Sequence, residues 1–319
     1  MSGARVVIAL GGNAIAPAGS GGTADEQTRN ITAAMRLVAD LVETGHEIVL
    51  THGNGPQVGN LLLKNDLAKD VVPPMPLDWC VAQTQATIGF TMCTALEAEL
   101  AARGRPVPVI PLVSRVRVDR DDPAFASPTK PVGRYLTDPE EVERQVQATG
   151  EHWARQGEKG WRRVVASPEP REPLDGQSLA LVLEGGAIPI ANGGGGVPMV
   201  RSEDGSLHGV EAVIDKDLAA VPLAHAVGAQ RLLILTDVPG VATGFGTPEE
   251  RWLDSVTAGE LRGLQADGHF AAGSMAPKVE ACARFVEGST VVEPWAAIGD
   301  LDDITDVAAG SSGTQVERG

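Results

Sequence analysis

RVVIALGGN, residues 5–13, is a short apolar and β-branched run that ends abruptly in two glycines and an asparagine. A run of this kind is typical of a buried parallel strand, and the residues that end it favour a tight turn. The pattern of a strand followed by a polar, glycine-rich turn recurs three more times. The further copies are EIVLTHGNG at 47–55, IPIANGGGG at 188–196 and LLILTDVPG at 232–240.

Stretches with helical spacing separate these strands. Between Ile31 and Leu41, apolar residues recur at steps of three and four. The ranges 77–103, 218–227 and 279–287 have the same character. Strands that alternate with helices of this length predict right-handed crossovers and a mostly parallel sheet covered on both faces, which is an α/β fold.

The stretch 115–175 interrupts this alternation. Arg, Asp, Pro and other polar residues dominate it, and its apolar runs are short. A structureless loop of this length is improbable inside a compact domain, and 139–146 has a helical pattern. We therefore expect a small inserted subdomain at 115–175 that protrudes from a core made of 1–114 and 176–319.

Composition excludes several classes of protein. The chain has 319 residues, 43% of them hydrophobic, so it is long enough to bury a sizeable core. Its formal net charge of −16 repels a polyanionic duplex and an anionic membrane surface, so we expect no nucleic acid or membrane partner. Cys80, Cys93 and Cys282 form no Cys-x-x-Cys pair, and neither a signal peptide nor a long apolar run is visible. We expect a cytoplasmic protein with reduced thiols.

The glycine-rich turns predict the kind of ligand. In an open parallel sheet the ligand lies beyond the carboxyl ends of the strands, where turn amides and helix N-termini attract anions. Four such turns on one edge suit a ligand with several anionic oxygens, such as a phosphate, although any single turn could be purely structural. The chain has no Walker A loop and no dinucleotide fingerprint, and it lacks the common serine hydrolase and zinc motifs.

Lysine is rare in this chain, which has 20 Arg and six Lys. Three of the six stand beside candidate turns or in unusual surroundings: Lys130 between prolines 128 and 131, Lys216 between Asp215 and Asp217, and Lys278 after Pro277. A compact ammonium group can follow charge as it moves between phosphate oxygens. The alternative is that all three are solvated lysines in loops.

A general base is hard to find among these residues. His52 is the only histidine in a candidate turn, and a histidine at a strand end more often satisfies local backbone groups than acts as a base. Phosphoryl transfer needs mainly positioning and charge neutralisation, and an acceptor that is already an oxyanion needs no base. The residues therefore favour phosphoryl transfer to an oxyanion.

Taken together, the motifs resemble the carbamate kinases of the amino acid kinase superfamily, almost from one end of the chain to the other. Their number, length and order make the resemblance specific. The matching segments are 9–14, 52–59, 75–78, 122–125, 128–131, 160–165, 167–170, 193–196, 209–217, 235–238, 273–275 and 277–281.

The resemblance implies a three-layer αβα sandwich around an open, mainly parallel sheet of about eight strands, with a small protruding subdomain and a homodimeric assembly. It implies reversible transfer of a phosphoryl group between ATP and carbamate, giving ADP and carbamoyl phosphate. Mg²⁺ would accompany ATP or ADP, and the reaction would run towards ATP in arginine breakdown. Two alternatives remain open: another phosphotransferase of the superfamily that acts on a different small acid, and a nucleotide-binding regulator that has lost catalysis.

The resemblance also assigns roles. Lys216 and Lys278 would flank the transferring group, Asp217 would orient them, and Lys130 would arrive from a mobile subdomain that closes over the substrate. Mg²⁺ would sit on the nucleotide phosphates, so no residue is expected to hold a metal. The residues implied for the carbamoyl phosphate end are Gly11, Gly12, Asn13, Gly53, Asn54 and Gly55, and those implied for the nucleotide are Thr236, Asp237, Met275 and Pro277.

Several positions depart from the family pattern. Ala9 stands where many members of the superfamily have a lysine, and Val81 replaces a small residue near the start of a long helix. Pro239, Ala242 and Ala276 also depart from the usual residues. Because these last three lie on the presumed nucleotide side, they put nucleotide affinity in question before the chemistry.

Overall fold

The computed structural model describes residues 3–12, 22–271 and 273–319. Short strands and longer helices alternate along most of it. The strands are β1 (Arg5–Leu10), β2 (Glu47–His52), β3 (Val109–Pro111), β4 (Arg115–Arg117), β5 (Lys130–Leu136), β6 (His152–Arg155), β7 (Trp161–Val165), β8 (Glu172–Pro173), β9 (Ile188–Ile190), β10 (Val197–Arg201), β11 (Leu207–Gly209), β12 (Arg231–Thr236), β13 (Val241–Thr243), β14 (Arg251–Leu253), β15 (Ser255–Thr257), β16 (Trp295–Asp300) and β17 (Thr314–Glu317). The α-helices are α1 (Ala24–Glu43), α2 (Gly55–Ala68), α3 (Leu77–Ala102), α4 (Pro123–Ala126), α5 (Pro139–Thr149), α6 (Gly176–Glu184), α7 (Lys216–Ala226), α8 (Ala258–Ala266), α9 (Met275–Gly288) and α10 (Ile304–Ala309).

An eight-stranded sheet forms the centre of the molecule, in the order β15-β17-β16-β12-β1-β2-β9-β3. The pairings from β16 to β3 are parallel, and β17 runs antiparallel to β16. The strands with the recurring turn pattern, β12, β1, β2 and β9, are four consecutive neighbours, so their turns meet at one edge. The expected mainly parallel sheet of about eight strands is confirmed.

Helices cover both faces of this sheet. Because side chains alternate along a strand, Ile8 of β1 packs into one apolar cluster with Ile31 of α1 and Ile88 of α3. Val7 points to the other face, where it shares a cluster with Ala220 of α7. The result is the expected three-layer αβα sandwich.

Two smaller sheets stand beside the central one. Strands β5, β7 and β6 form an antiparallel sheet, and α5 packs against it; this unit, 130–165, is called the lobe below. The ends of the expected insertion belong to a different sheet, in which β4 lies between β8 and β10. The lobe therefore contains fewer residues than the expected insertion. A subdomain with the boundaries 115–175 remains a proposal.

Two helices begin earlier than the sequence pattern indicated. Helix α7 starts at Lys216 because the side chain of Asp215 accepts hydrogen bonds from the amides of Asp217 and Leu218. Helix α9 starts at Met275 and contains Pro277 in its first turn, where the missing N–H of a proline costs no helical hydrogen bond. Lys216 and Lys278 thus lie in first turns of helices and not in loops.

Within 3–12, 22–271 and 273–319, every helix is too short or too polar to span a bilayer.

Candidate functional site

Asp217 joins two lysines that are far apart in the sequence. Its Oδ1 lies 2.5 Å from Nζ of Lys216, and its Oδ2 lies 2.9 Å from Nζ of Lys278. The Asp217 side chain is buried and those of the two lysines are largely so, with exposed fractions of 5% for Asp217, 10% for Lys216 and 14% for Lys278. The two ammonium groups therefore contact one common carboxylate.

Burial and charge oppose each other in this cluster. Burial alone would raise the pKa of the Asp217 carboxyl, but the Lys216 and Lys278 ammonium groups outweigh it and lower the pKa to about 2. Burial lowers the pKa of Lys216 more than the Asp217 charge raises it. For Lys278, burial is outweighed by the Asp217 carboxylate, and its pKa is raised.

The third lysine reaches the same helix from the lobe. Lys130 is the first residue of β5, and its Nζ donates to Oδ2 of Asp215 at 3.0 Å. Asp215 immediately precedes Lys216 at the start of α7. Three ammonium groups and two carboxylates thus meet here, which leaves one net positive charge among these five side chains.

The glycine turns bring the strand ends close to these lysines. The amide of Gly11 donates to the Leu235 carbonyl at 2.8 Å, and that of Gly53 donates to the Leu10 carbonyl at 3.1 Å. A Cβ atom on Gly53 would lie 3.2 Å from the Gly12 nitrogen and 3.7 Å from Cδ of Lys216. Gly53 therefore permits close packing beside Lys216, while its own N–H is used within the fold.

Other amides at this edge are free to bind an anion. Within the part of the chain that the structure describes, the N–H groups of Gly12, Asn54 and Gly55 have no hydrogen-bond acceptor. Gly55 begins α2, whose N-terminus is not capped by a side chain. The side chain of Asn54 points away to Thr84, to which its Nδ2 donates at 2.9 Å. Asn13 lies outside the described residues.

His52 is packed into the interior. Its side chain is 1% exposed, its Nδ1 lies 2.9 Å from the Gly53 carbonyl, and a Cβ atom on Gly193 would lie 2.3 Å from its Nε2. Burial lowers the pKa of His52 to about 4, and the Lys216 charge acts in the same direction. The imidazole is therefore neutral at pH 7, and it contacts a neighbouring backbone group, as expected of a histidine at a strand end.

A cavity of about 370 Å³ opens beside the lysine cluster. Lys278 lines it together with Thr236, Asp237 and Met275, three of the residues implied for the nucleotide. Pro277 is not among the described residues that line it, although it lies next to Lys278 in α9. The cavity thus borders the residue whose ammonium group contacts Asp217.

Comparison with known proteins decides the family. The amino acid kinase family model matches residues 4–292 of the 319. The chain belongs to the amino acid kinase family. It is 46% identical to a carbamate kinase of Thermococcus kodakarensis, over 98% of this chain and 99% of the relative. It is 44% identical to a carbamate kinase of Pyrococcus furiosus, over 98% and 99%. A solved carbamate kinase structure from Giardia lamblia, bound to AMP-PNP, matches with a TM-score of 0.91 and 38% identity over 100% of both chains.

These matches confirm the resemblance to the carbamate kinases, and they make this amino acid kinase a phosphotransferase. The lysines and Asp217 that carried the resemblance are the residues that meet in the structure. Two motifs that are far apart in the chain therefore lie together in the structure.

The sequence did not single out several residues of the nucleotide-side cavity. Phe245, His269 and Phe270 line it in this amino acid kinase. Phe245 is 63% exposed and contacts Trp252 edge-to-face, with ring centroids 6.1 Å apart. Only the scarcity of aromatic residues, 3% of the chain, hinted that those present had a role. Of the departures noted above, Ala242 lines this cavity, while Pro239 and Ala276 are not among its described lining residues.

A metal held by the protein itself would need a cluster of donor side chains. Within 3–12, 22–271 and 273–319, no group of three or more His, Cys, Asp or Glu side chains could hold a metal ion. The two carboxylates nearest the lysines, Asp215 and Asp217, are both engaged by ammonium groups. This donor set fits a metal that arrives on nucleotide phosphates.

Proposed function

We propose that this amino acid kinase reversibly transfers a phosphoryl group between ATP and carbamate, giving ADP and carbamoyl phosphate. One observation carries the proposal: Asp217 holds together Lys216 and Lys278, and Lys278 also lines the cavity. A phosphate chain that enters through this cavity reaches two ammonium groups at once. Its charge can then be neutralised throughout the transfer.

The nucleotide would occupy the cavity lined by Thr236, Asp237 and Met275, with Pro277 supporting it from the same helix turn. The AMP-PNP bound to the Giardia lamblia carbamate kinase supports the use of a nucleotide by this chain as well. The phosphates would extend towards Lys278 and Lys216. We therefore expect the nucleotide affinity to depend on the cavity walls and the rate to depend on the lysines.

Carbamoyl phosphate or carbamate would bind on the opposite side of the lysines. The amides of Gly12, Asn54 and Gly55, which have no acceptor among the described residues, belong to the turns that follow β1 and β2 and would bind its oxygens. Gly11 and Gly53 would allow the close approach. We also assign Asn13 to this end. Carbamate already carries its negative charge, so the buried and neutral His52 is not needed as a base.

Mg²⁺ would be bound by the nucleotide phosphates and would neutralise charge on them. The ammonium groups of Lys216 and Lys278 would neutralise the transferring group from the protein side. Omitting Mg²⁺ from the assay should abolish turnover, while full turnover in EDTA would contradict this assignment.

We propose that 115–175 is a subdomain that closes over the substrate as a gating step. Lys130 of the lobe contacts Asp215 of the core, so a lobe in this position places a third ammonium group at the site. A cross-link that holds the lobe away from α7 should abolish turnover. Unchanged activity after such trapping would refute the gate.

We propose a homodimer that is formed through the groove between α1, α2 and α3. Leu67 and Phe90 line this groove of about 480 Å³ and are 79% and 59% exposed. An exposed apolar groove of this kind favours burial against a second copy. Phe90→Glu should shift the sedimentation coefficient to that of a monomer, and Leu181→Glu on α6, also an exposed apolar residue, should not.

We further propose a cytoplasmic enzyme that runs towards ATP in arginine breakdown. Free thiols at Cys80, Cys93 and Cys282 are consistent with a reducing compartment. Carbamoyl phosphate is a mixed anhydride and therefore a strong phosphoryl donor. Deletion of the enzyme should lower growth on arginine as energy source; unaffected growth would contradict this role.

The assay that tests the function supplies ADP, Mg²⁺ and carbamoyl phosphate and measures ATP. We expect ATP formation far above the uncatalysed rate, and much less with acetyl phosphate as donor. Equal or better use of another acyl phosphate would support a different small acid as acceptor. Nucleotide binding without any transfer would support a regulator.

A further inference from the structure

Asp215 uses its two carboxylate oxygens on two different parts of the molecule. Oδ1 accepts from the amides of Asp217 and Leu218, at 2.9 and 3.3 Å, and so caps α7. Oδ2 accepts from Nζ of Lys130 at 3.0 Å. One side chain therefore joins the first strand of the lobe to the helix that carries Lys216. The contact between Lys130 and Asp215 is called the bridge below.

The geometry makes this contact useful for catalysis as well as for stability. Lys130 has a long, flexible side chain, and ordering its ammonium group costs rotamer entropy unless a fixed partner holds it. Asp215 is such a partner, because its own carboxylate is fixed by the two amides of α7. With the lobe in this position, Lys130 is thus held against the start of α7, the helix that carries Lys216 and Asp217.

The contact is also exchangeable. Lys130 and Asp215 are 26% and 23% exposed, whereas Lys216 and Asp217 are 10% and 5% exposed. Water reaches the outer pair, so the separation of its charges costs less than in the buried cluster. Lys130 can therefore turn from Asp215 to an anionic substrate by a small side-chain movement.

We propose that Asp215 is a positioning residue. Its Oδ2, the oxygen that does not cap α7, holds Lys130 of the lobe beside the start of the helix that carries Lys216 and Asp217. The inference rests on the proposed phosphoryl transfer. Asp215 touches no substrate in this account and acts through Lys130.

Three variants separate the cap from the bridge. Asp215→Ser keeps a hydroxyl that can cap α7, but its single oxygen is used by the cap and is one bond too short for Lys130. Asp215→Ala removes both functions. Asp138→Ser is the matched control, because Asp138 caps α5 in the same way, through the amide of Glu140.

We expect Asp215→Ser and Asp215→Ala to lower kcat alike, by about tenfold or more, because Lys130 is no longer held in place. The KM for ADP should stay the same, since Lys130 does not line the nucleotide-side cavity. Only Asp215→Ala should also lower the midpoint of urea unfolding clearly. Asp138→Ser should leave kcat unchanged.

A double-mutant cycle with Lys130→Ala tests whether Asp215 acts through Lys130. In the Lys130→Ala background, Asp215→Ser should have no further effect on kcat. An equal loss of kcat in both backgrounds would overturn the proposal. So would a normal kcat in the Asp215→Ser single variant.

A readout that is independent of activity keeps this test separate from the test of function. Asp215→Ser should accelerate hydrogen exchange in β5, because the lobe loses its contact with α7, and Asp138→Ser should leave β5 unchanged. If the wild-type protein makes no ATP but β5 responds in this way, the proposed reaction fails while the bridge stands. If β5 does not respond, the bridge itself is wrong.

Discussion

Lys278 Nζ lies 2.9 Å from Oδ2 of Asp217, although the two residues are 61 positions apart in the chain. They lie in the first turns of two different helices, α7 and α9. Because Oδ1 of the same carboxylate accepts from Lys216, Asp217 fixes the distance between two ammonium groups. This arrangement is suited to a phosphoryl group that moves between two oxygens.

Removing either buried lysine should slow the chemical step. Lys216→Ala and Lys278→Ala should each lower kcat by about a hundredfold or more, because a charge that stabilises the transition state is lost. Steady-state assays of ATP formation measure this. Lys69→Ala, at an exposed lysine after α2, is the control and should behave as wild type. Near-normal rates in both lysine variants would remove them from the mechanism.

Asp217 should make stability depend on pH in the acid range. Its folded pKa of about 2 lies below the unfolded value of about 4, so its contribution is complete above pH 4 and is lost as the pH falls towards 2. The expected size is about 2 kcal/mol. Urea unfolding of wild type and Asp217→Asn should differ by a constant amount from pH 7 to 5, and the difference should narrow below pH 4. A difference that does not change with pH would contradict the assignment.

His52 should make the free energy of unfolding depend on pH between pH 7 and 4. Its pKa is lowered from 6.5 to about 4 in the folded state, so only the unfolded chain takes up the proton in this interval. The free energy of unfolding should therefore fall by about 3 kcal/mol as the pH falls from 7 to 4. His52→Gln should flatten this dependence, and His208→Gln, at an exposed histidine, should not. An unchanged slope in His52→Gln would show that the imidazole protonates normally.

Phe245 should affect nucleotide binding without affecting the chemical step. It lines the cavity, and the residue is 63% exposed. Phe245→Ala should raise the KM for ADP by about tenfold and leave kcat unchanged, because the lost contact is the same in the ground state and the transition state. Leu181→Ala, an exposed residue of α6, should change neither constant. A large fall in kcat for Phe245→Ala would place the residue closer to the chemistry.

Much of the fold was accessible from the sequence, because buried parallel strands have a distinct pattern. The runs in β1, β2, β9 and β12 were apparent, and their glycine turns do meet at one edge. The lysines were apparent because lysine is rare in this chain. Helix starts were harder to predict, since the cap at Asp215 and the proline in the first turn of α9 require backbone geometry.

Other features depended on tertiary contacts. The amides of Gly11 and Gly53 donate to neighbouring strands. These hydrogen bonds depend on the register of the sheet, which no local pattern encodes. Phe245 and His269 reach the cavity through loops, whose paths have no periodicity. The bridge from Lys130 to Asp215 depends on how the lobe sits against α7. Local patterns thus predicted the strand ends, and packing decided which groups remained free to bind.

A crystal structure with ADP, Mg²⁺ and aluminium fluoride would test the central claim most directly, because the fluoride imitates a phosphoryl group in transfer. We predict that Nζ of Lys216 and Nζ of Lys278 both lie within about 3 Å of its fluorine atoms, with ADP in the cavity that Lys278 lines. A fluoride bound beyond the reach of both lysines, with ADP in place, would contradict the account.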